Sequence, residues 1–228
     1  MMSSPIEHLY NTVHCMDCLE FMKTLPDNCI DLVLTDPPYW IDYNNEKLNR
    51  KSNSKYEDII WDKWMDYKEL IDEMLRVWKI IIIFWAINFF YDLPYKWIWI
   101  CRDKRTTVLA DNVLWSPFEL ARCNKKTGYD KMYRLMHWGV INADWPNTSR
   151  FHPTQKPVWL MRMILEDYSE QWMTILDCFA WSWTTGIACK ELWRNYILVE
   201  KEPKYVGIIN KRLSNTTISL FHTNNNDN

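Results

Sequence analysis

The residues best suited to do chemistry are Asp36, Pro37, Pro38 and Tyr39, four in a row. They suit an exocyclic amine on a planar ring, which is a weak nucleophile because its lone pair is delocalised. As such a nitrogen turns sp3 its N–H groups need acceptors. The Asp36 carboxylate and the Pro37 carbonyl can supply them, on a backbone that proline keeps stiff. Tyr39 offers a face on which a base taken out of a helix can stack. Read alone, the same residues are also an ordinary turn at a strand end.

A second group lies far along the chain. Asp177-Cys178-Phe179-Ala180-Trp181-Ser182-Trp183-Thr184-Thr185-Gly186 joins an apolar run, Met173 to Leu176, to a helical stretch, Ile187 to Leu192. Strand, tight loop and helix is the order used to bind nucleotides in α/β folds. A carboxylate roughly 20 residues after such a loop begins suits ribose hydroxyls. Glu200, closing the run Tyr196 to Val199, stands at that distance. By itself it reads as a surface carboxylate.

What must hold these groups is an alternation of short β-rich runs and amphipathic helices, which predicts one α/β domain with a mostly parallel sheet. Leu19, Met22 and Leu25 are at helical spacing. Ile30 to Leu34 then forms a buried strand that delivers Thr35 to Tyr39 at its carboxyl end, where open α/β sheets bind ligands. Leu70, Met74 and Val77 mark a second helix before a strand from Lys79 to Phe84, and Pro157 opens a third carrying Leu160, Met161, Ile164, Leu165 and Tyr168. Residues 41–58 are polar and expected to form a mobile loop, a lid or a substrate loop. Residues 97–153 should break into short strands and turns, and 214–228 should be a disordered tail.

Composition limits the setting. The apolar run Ile80 to Ile87 is far short of the roughly 20 residues of a membrane helix, and no signal peptide opens the chain, so a soluble, cytoplasmic protein is expected. The seven cysteines lack disulfide-framework or zinc-ligand spacing and read as reduced, structural thiols; no metal is implied. The formal net charge is -2, but between Lys96 and Arg134 nine basic residues face four acidic ones, a surplus of five, leaving -7 for the rest. Lys104, Arg105, Arg122, Lys125, Lys126, Lys131 and Arg134 are therefore candidates for a phosphate-contacting surface, with a solvated face as the alternative. The chain also has 15 Trp and only 4 Gly, although glycine usually makes up about 7% of a protein.

In four blocks, taken in order, the chain resembles the β-class amino DNA methyltransferases, whose Asp-Pro-Pro-Tyr block precedes a Phe-x-Gly-x-Gly cofactor block. The blocks are Met16-Asp17-Cys18-Leu19, Thr35 to Tyr39, His152-Pro153-Thr154-Gln155-Lys156-Pro157, and Ile175 to Gly186 followed by Glu200 to Val206. The resemblance implies a Rossmann-like S-adenosylmethionine-dependent methyltransferase fold with a mostly parallel seven-stranded sheet and circularly permuted motif order. It would span residues 1–213, with 96–150 as target-recognition insert.

The resemblance also implies roles. Asp36, Pro37, Pro38 and Tyr39 would be catalytic, with Asp36 also near the cofactor. Asp17 and Cys18 would lie at the cofactor adenine, Glu200 and Lys201 at its ribose, and Gln155 and Lys156 beside its methionine end. Asp177, Phe179, Ala180, Trp181, Ser182, Trp183, Thr184 and Thr185 would form the cofactor loop. The substrate would be DNA and the product N6-methyladenine. N4-methylcytosine is the alternative, although that subgroup usually opens its motif with Ser. A restriction endonuclease partner and a monomer or homodimer are compatible with the family.

The chain departs from the family where glycine is usual: Trp40 follows the first motif, Trp181 and Trp183 replace the loop glycines, and Trp193 stands at a helix end. Trp78, Trp85 and Trp138 also sit at turn or tight-packing positions. An indole can neither reach positive φ cheaply nor let backbone touch a ligand. UGA codons that the source reads as glycine and that were translated as tryptophan would explain both the counts and the positions. A tryptophan-rich, catalytically inactive nucleic-acid-binding protein is the alternative.

Overall fold

A computed structural model describes residues 4–37, 67–84, 93, 96–104, 117–125, 129–134, 156–181 and 183–216. Along the chain run β1 (Thr12–Cys15), α1 (Cys18–Lys23), β2 (Ile30–Thr35), α2 (Tyr67–Val77) and β3 (Trp78–Phe84). Next come β4 (Ile98–Asp103), β5 (Phe118–Cys123), β6 (Lys131–Arg134), α3 (Val158–Tyr168), β7 (Thr174–Asp177), α4 (Thr184–Glu191), β8 (Asn195–Glu200) and α5 (Pro203–Asn215).

The strands make one sheet in the order β1-β8-β7-β2-β3-β5-β4-β6. All neighbours are parallel except at β5, which runs antiparallel to both β3 and β4. The fold is thus the expected α/β fold, with eight strands where seven were expected; the extra one is the short β6, which pairs with β4 beyond the antiparallel pair.

Alternating side chains divide the core between the sheet's two faces. Val33, Ile81, Ile83, Leu176, Ile197 and Val199 pack with α1 and α2, whereas Leu32, Leu34, Ile82, Ile175 and Leu198 pack with α3, α4 and α5. Helix α3 buries Leu160, Met161, Ile164, Leu165 and Tyr168, the five residues its periodicity turns inward. The expected polar loop over 41–58 lies outside the described residues, as do 217–228; of the residues expected in a tail, Ser214 and Asn215 belong to α5 and Thr216 caps it. All seven cysteines are free thiols. Among the described residues no helix is long and apolar enough to cross a membrane, and no cluster of His, Cys, Asp and Glu could hold a metal ion.

Candidate active site

Four neighbouring parallel strands, β1, β8, β7 and β2, each deliver a carboxylate at the carboxyl end. Asp17 follows β1 by two residues, Glu200 ends β8, Asp177 ends β7, and Asp36 follows β2 directly. Adjacent strands are about 4.8 Å apart, so the pleated sheet alone gathers these acids along one edge. The chain order reverses between β7 and β2, where open α/β sheets leave a ligand crevice.

The β7–α4 loop is organised from beneath by Asp177. Its Oδ1 accepts from the Thr35 hydroxyl (3.0 Å) and the Phe179 N–H (3.1 Å), and its Oδ2 from the Thr185 hydroxyl (2.7 Å). Burial pushes this carboxyl up to about 6 despite those three hydrogen bonds, which favour the charged form. The bond to Thr35 ties the loop to the end of β2. Within the loop, Phe179 and Trp181 pack toward the α1–α2 face, while Ala180 and Trp183 pack toward the other.

On β2 the Asp36 carboxylate meets the Lys156 ammonium at 2.7 Å, and both residues are buried, 6% and 1% exposed. Lys156 comes from just before α3, 120 residues along the chain, and also lies 5.1 Å from the Phe84 ring centre. The Trp181 indole N–H donates to the Asp36 carbonyl at 3.4 Å, so this indole reaches across from the loop to the end of β2.

The other two strand ends form a polar corner. Glu200 accepts the Glu202 N–H at 2.7 Å and is 2% exposed; burial raises its carboxyl to about 7. Asp17 caps α1, accepting from Leu19 N–H (2.9 Å) and Glu20 N–H (3.4 Å), and Lys201 lies 3.4 Å from its second oxygen. Met16 N–H donates to the Glu200 carbonyl, which joins the two strand ends.

Residues 84–211, more than half the chain, match the model of the DNA methylase family of N6 and N4 type. The chain belongs to that family. It is 28% identical over 93% of its length to the type II methyltransferase M.HinfI of Haemophilus influenzae, covering 71% of that protein. To M2.MboI of Moraxella bovis it is 27% identical over 88% of its length and 86% of that protein's. Among solved structures it resembles PvuII DNA methyltransferase, described as cytosine-N4-specific (TM-score 0.61, 16% identity, 91% of this chain, 88% of that one). It also resembles the M1.HpyAVI–SAM complex (TM-score 0.56, 21% identity, 89% and 98%), and these structural likenesses carry the fold alone.

Several of the expected site residues are buried or engaged within the protein. Asp177 accepts three hydrogen bonds that hold the loop, and Thr184 and Thr185 are buried beside it. Cys18 lies inside the hydrophobic core, its thiol pushed up to about 12 by burial. The Trp183 indole, 2% exposed, turns into the core on the α5 side with the Arg212 guanidinium 3.9 Å from its ring centre, so of the two indoles Trp181 alone borders the crevice.

Arg122 is not a surface cation. It is 1% exposed, donates to the Trp97 carbonyl and lies over the Trp99 ring, because β5 is an interior strand. Lys104, Lys131 and Arg134 are engaged by Glu119, Asp167 and Asp103, and Lys125 is exposed. Pro38, Tyr39, Gln155, Ser182, Arg105 and Lys126 lie outside the described residues. The Lys156–Asp36 pair and the Thr35–Asp177 bond were not foreseen; their partners are 120 and 142 residues apart, and no local spacing signals them.

Proposed function

We propose that the chain is a site-specific DNA methyltransferase that moves a methyl group from S-adenosylmethionine to the N6 amino group of adenine. The observation that carries this reading is the buried Asp36 carboxylate held by Lys156 at the crevice between β2 and β7. The residues present fit the cofactor. Glu200 is a buried carboxylate at the end of β8, suited with Lys201 beside it to a ribose diol; Asp17 stands next to them for the adenine; and Phe179 with the loop to Thr185 flanks the methionine end. S-adenosylmethionine supplies an electrophilic methyl group.

This chain's residues do the rest. Asp36 and the Pro37 carbonyl accept the N–H groups of the target amine, concentrating its lone pair on the nitrogen; as the N–methyl bond forms and the methyl–sulfur bond breaks to leave a neutral thioether, they stabilise the positive charge on the nitrogen and draw off one N–H proton. Lys156 keeps the Asp36 carboxylate oriented in a dry setting, and Tyr39 stacks on the extruded base. The acidic first residue, Asp36, supports N6 over N4, because the N4 subgroup usually opens its motif with Ser.

Asp36→Ala in the active protein is expected to lower methyl transfer to DNA by at least about 10²-fold, while calorimetry still shows cofactor binding. Turnover within about tenfold of the parent would contradict the assignment.

A further inference from the structure

Five described non-glycine residues have positive φ: Asn11, Asn28, Trp172, Trp183 and Trp193. Asparagine is the side chain that tolerates this region best, whereas a bulky aromatic there is an outlier. Each of the three tryptophans sits in a local motif with its own reason to require glycine.

Trp193 (φ 61°) directly follows the C-cap of α4, Leu192. Arg194 N–H donates to the Cys189 carbonyl at 2.9 Å, the six-to-one bond of a Schellman ending, whose left-handed position is usually glycine. Trp172 (φ 68°) is the third residue of a turn closed by Met173 N–H to the Glu170 carbonyl, 3.3 Å, and Gln171 before it has no positive φ. That is the type II pattern, which asks for glycine at its third residue. Trp183 (φ 50°, ψ -7°) joins the β7–α4 loop to α4, in place of the extended residue that ordinarily caps a helix.

Trp172 and Trp193 are also exposed, 65% and 40%, with ring centres 6.0 Å apart, so the Trp172 indole in particular buries little in return. By contrast Trp78, Trp97, Trp99 and Trp159 carry no positive φ, and Trp78 is a buried core residue opening β3, where no glycine is required.

We infer that Trp172, Trp183 and Trp193 are glycines in the working protein, whose gene uses UGA as a glycine codon. The counts agree: 15 Trp and 4 Gly together approach an ordinary glycine content plus a few tryptophans. The geometry adds Trp172, which no resemblance singles out, and returns Trp78 to the authentic set. Trp181 has no positive φ; its inclusion rests on the family loop and on its reach across to Asp36.

The test compares substitutions in the full chain as written. Trp172→Gly and Trp193→Gly are each expected to have a folding equilibrium constant roughly two- to fivefold above that of Trp172→Ala and Trp193→Ala. Alanine removes the same indole but keeps the left-handed strain, so equal stability of the glycine and alanine variants would overturn the inference. Peptides from the source organism should show glycine at 172, 183 and 193, encoded by UGA; tryptophan there, encoded by UGG, would overturn it too. If the glycine variants gain stability but the chain with Trp181→Gly and Trp183→Gly still fails to bind S-adenosylmethionine, the functional reading of the crevice fails and the glycine inference stands.

Discussion

The ammonium of Lys156 lies 2.7 Å from the carboxylate of Asp36, and the pair is closed off from solvent. Removing one member of a buried ion pair typically costs about 3–5 kcal/mol, so this contact holds Asp36 in position.

Lys156→Met is therefore expected to lower stability by about 3–5 kcal/mol and to lower the transfer rate, because Asp36 loses the ammonium that orients it. Lys156→Arg should keep more of both. These rates are measured in the protein carrying Trp172→Gly, Trp181→Gly, Trp183→Gly and Trp193→Gly. A transfer rate per folded molecule in Lys156→Met equal to the parent's would remove Lys156 from any role in holding Asp36.

Glu200 and Asp177 set a pH dependence of folding. Burial raises their carboxyls to about 7 and about 6, above the ordinary 4.5 and 3.8, so between those values the folded state binds more protons than the unfolded one. Stability should then fall as pH rises from about 4 to 7 and level off above that, for these two groups. Urea midpoints at pH 5 and 8, with and without Glu200→Gln, check the sign; the substitution should flatten the slope. A steeper slope in the variant would contradict it.

Gly186 is an authentic glycine of close packing between α4 and β8. A Cβ there would lie 2.7 Å from Leu198 Cδ1 and 3.2 Å from Leu213 Cδ2, both in the core. Gly186→Val should cost about 1–3 kcal/mol by denaturant unfolding, whereas Gly186→Ala gives back much of its clash through helix propensity. A valine variant as stable as the parent would show the interface to be looser than this.

The basic segment separates into two kinds of cation. Lys125 is exposed, so Lys125→Gln should weaken binding alike on all DNA sequences and flatten the salt slope by about one unit. Arg122→Met should lower stability and leave the slope unchanged, since Arg122 is buried against Trp97 and Trp99. A slope altered by Arg122→Met and not by Lys125→Gln would reverse these assignments.

Much of the frame was legible in the sequence, because apolar spacing reports burial directly: β2, β3, β7, β8 and the buried face of α3 follow from it. Sequence spacing did not reveal β1, only four residues long with none fully buried, or α5, whose buried residues are just Ile209 and Leu213. The site was legible as a set of strand-end acids but not as a set of partners. The family motif marks Asp177, but nothing in the sequence signals the hydrogen bond that ties it to Thr35, 142 residues away. Arg122 looked like a phosphate contact because charge counts ignore which strand lies inside the sheet.

The most direct measurement is the identity of the modified base. The gene, with glycine codons at 172, 181, 183 and 193, is expressed in a host lacking adenine methylation, and its DNA is sequenced with detection of modified bases. N6-methyladenine at one short recurring sequence, lost with Asp36→Ala, is the expected result. N4-methylcytosine, or unmodified DNA from a folded protein that binds the cofactor, would contradict the account.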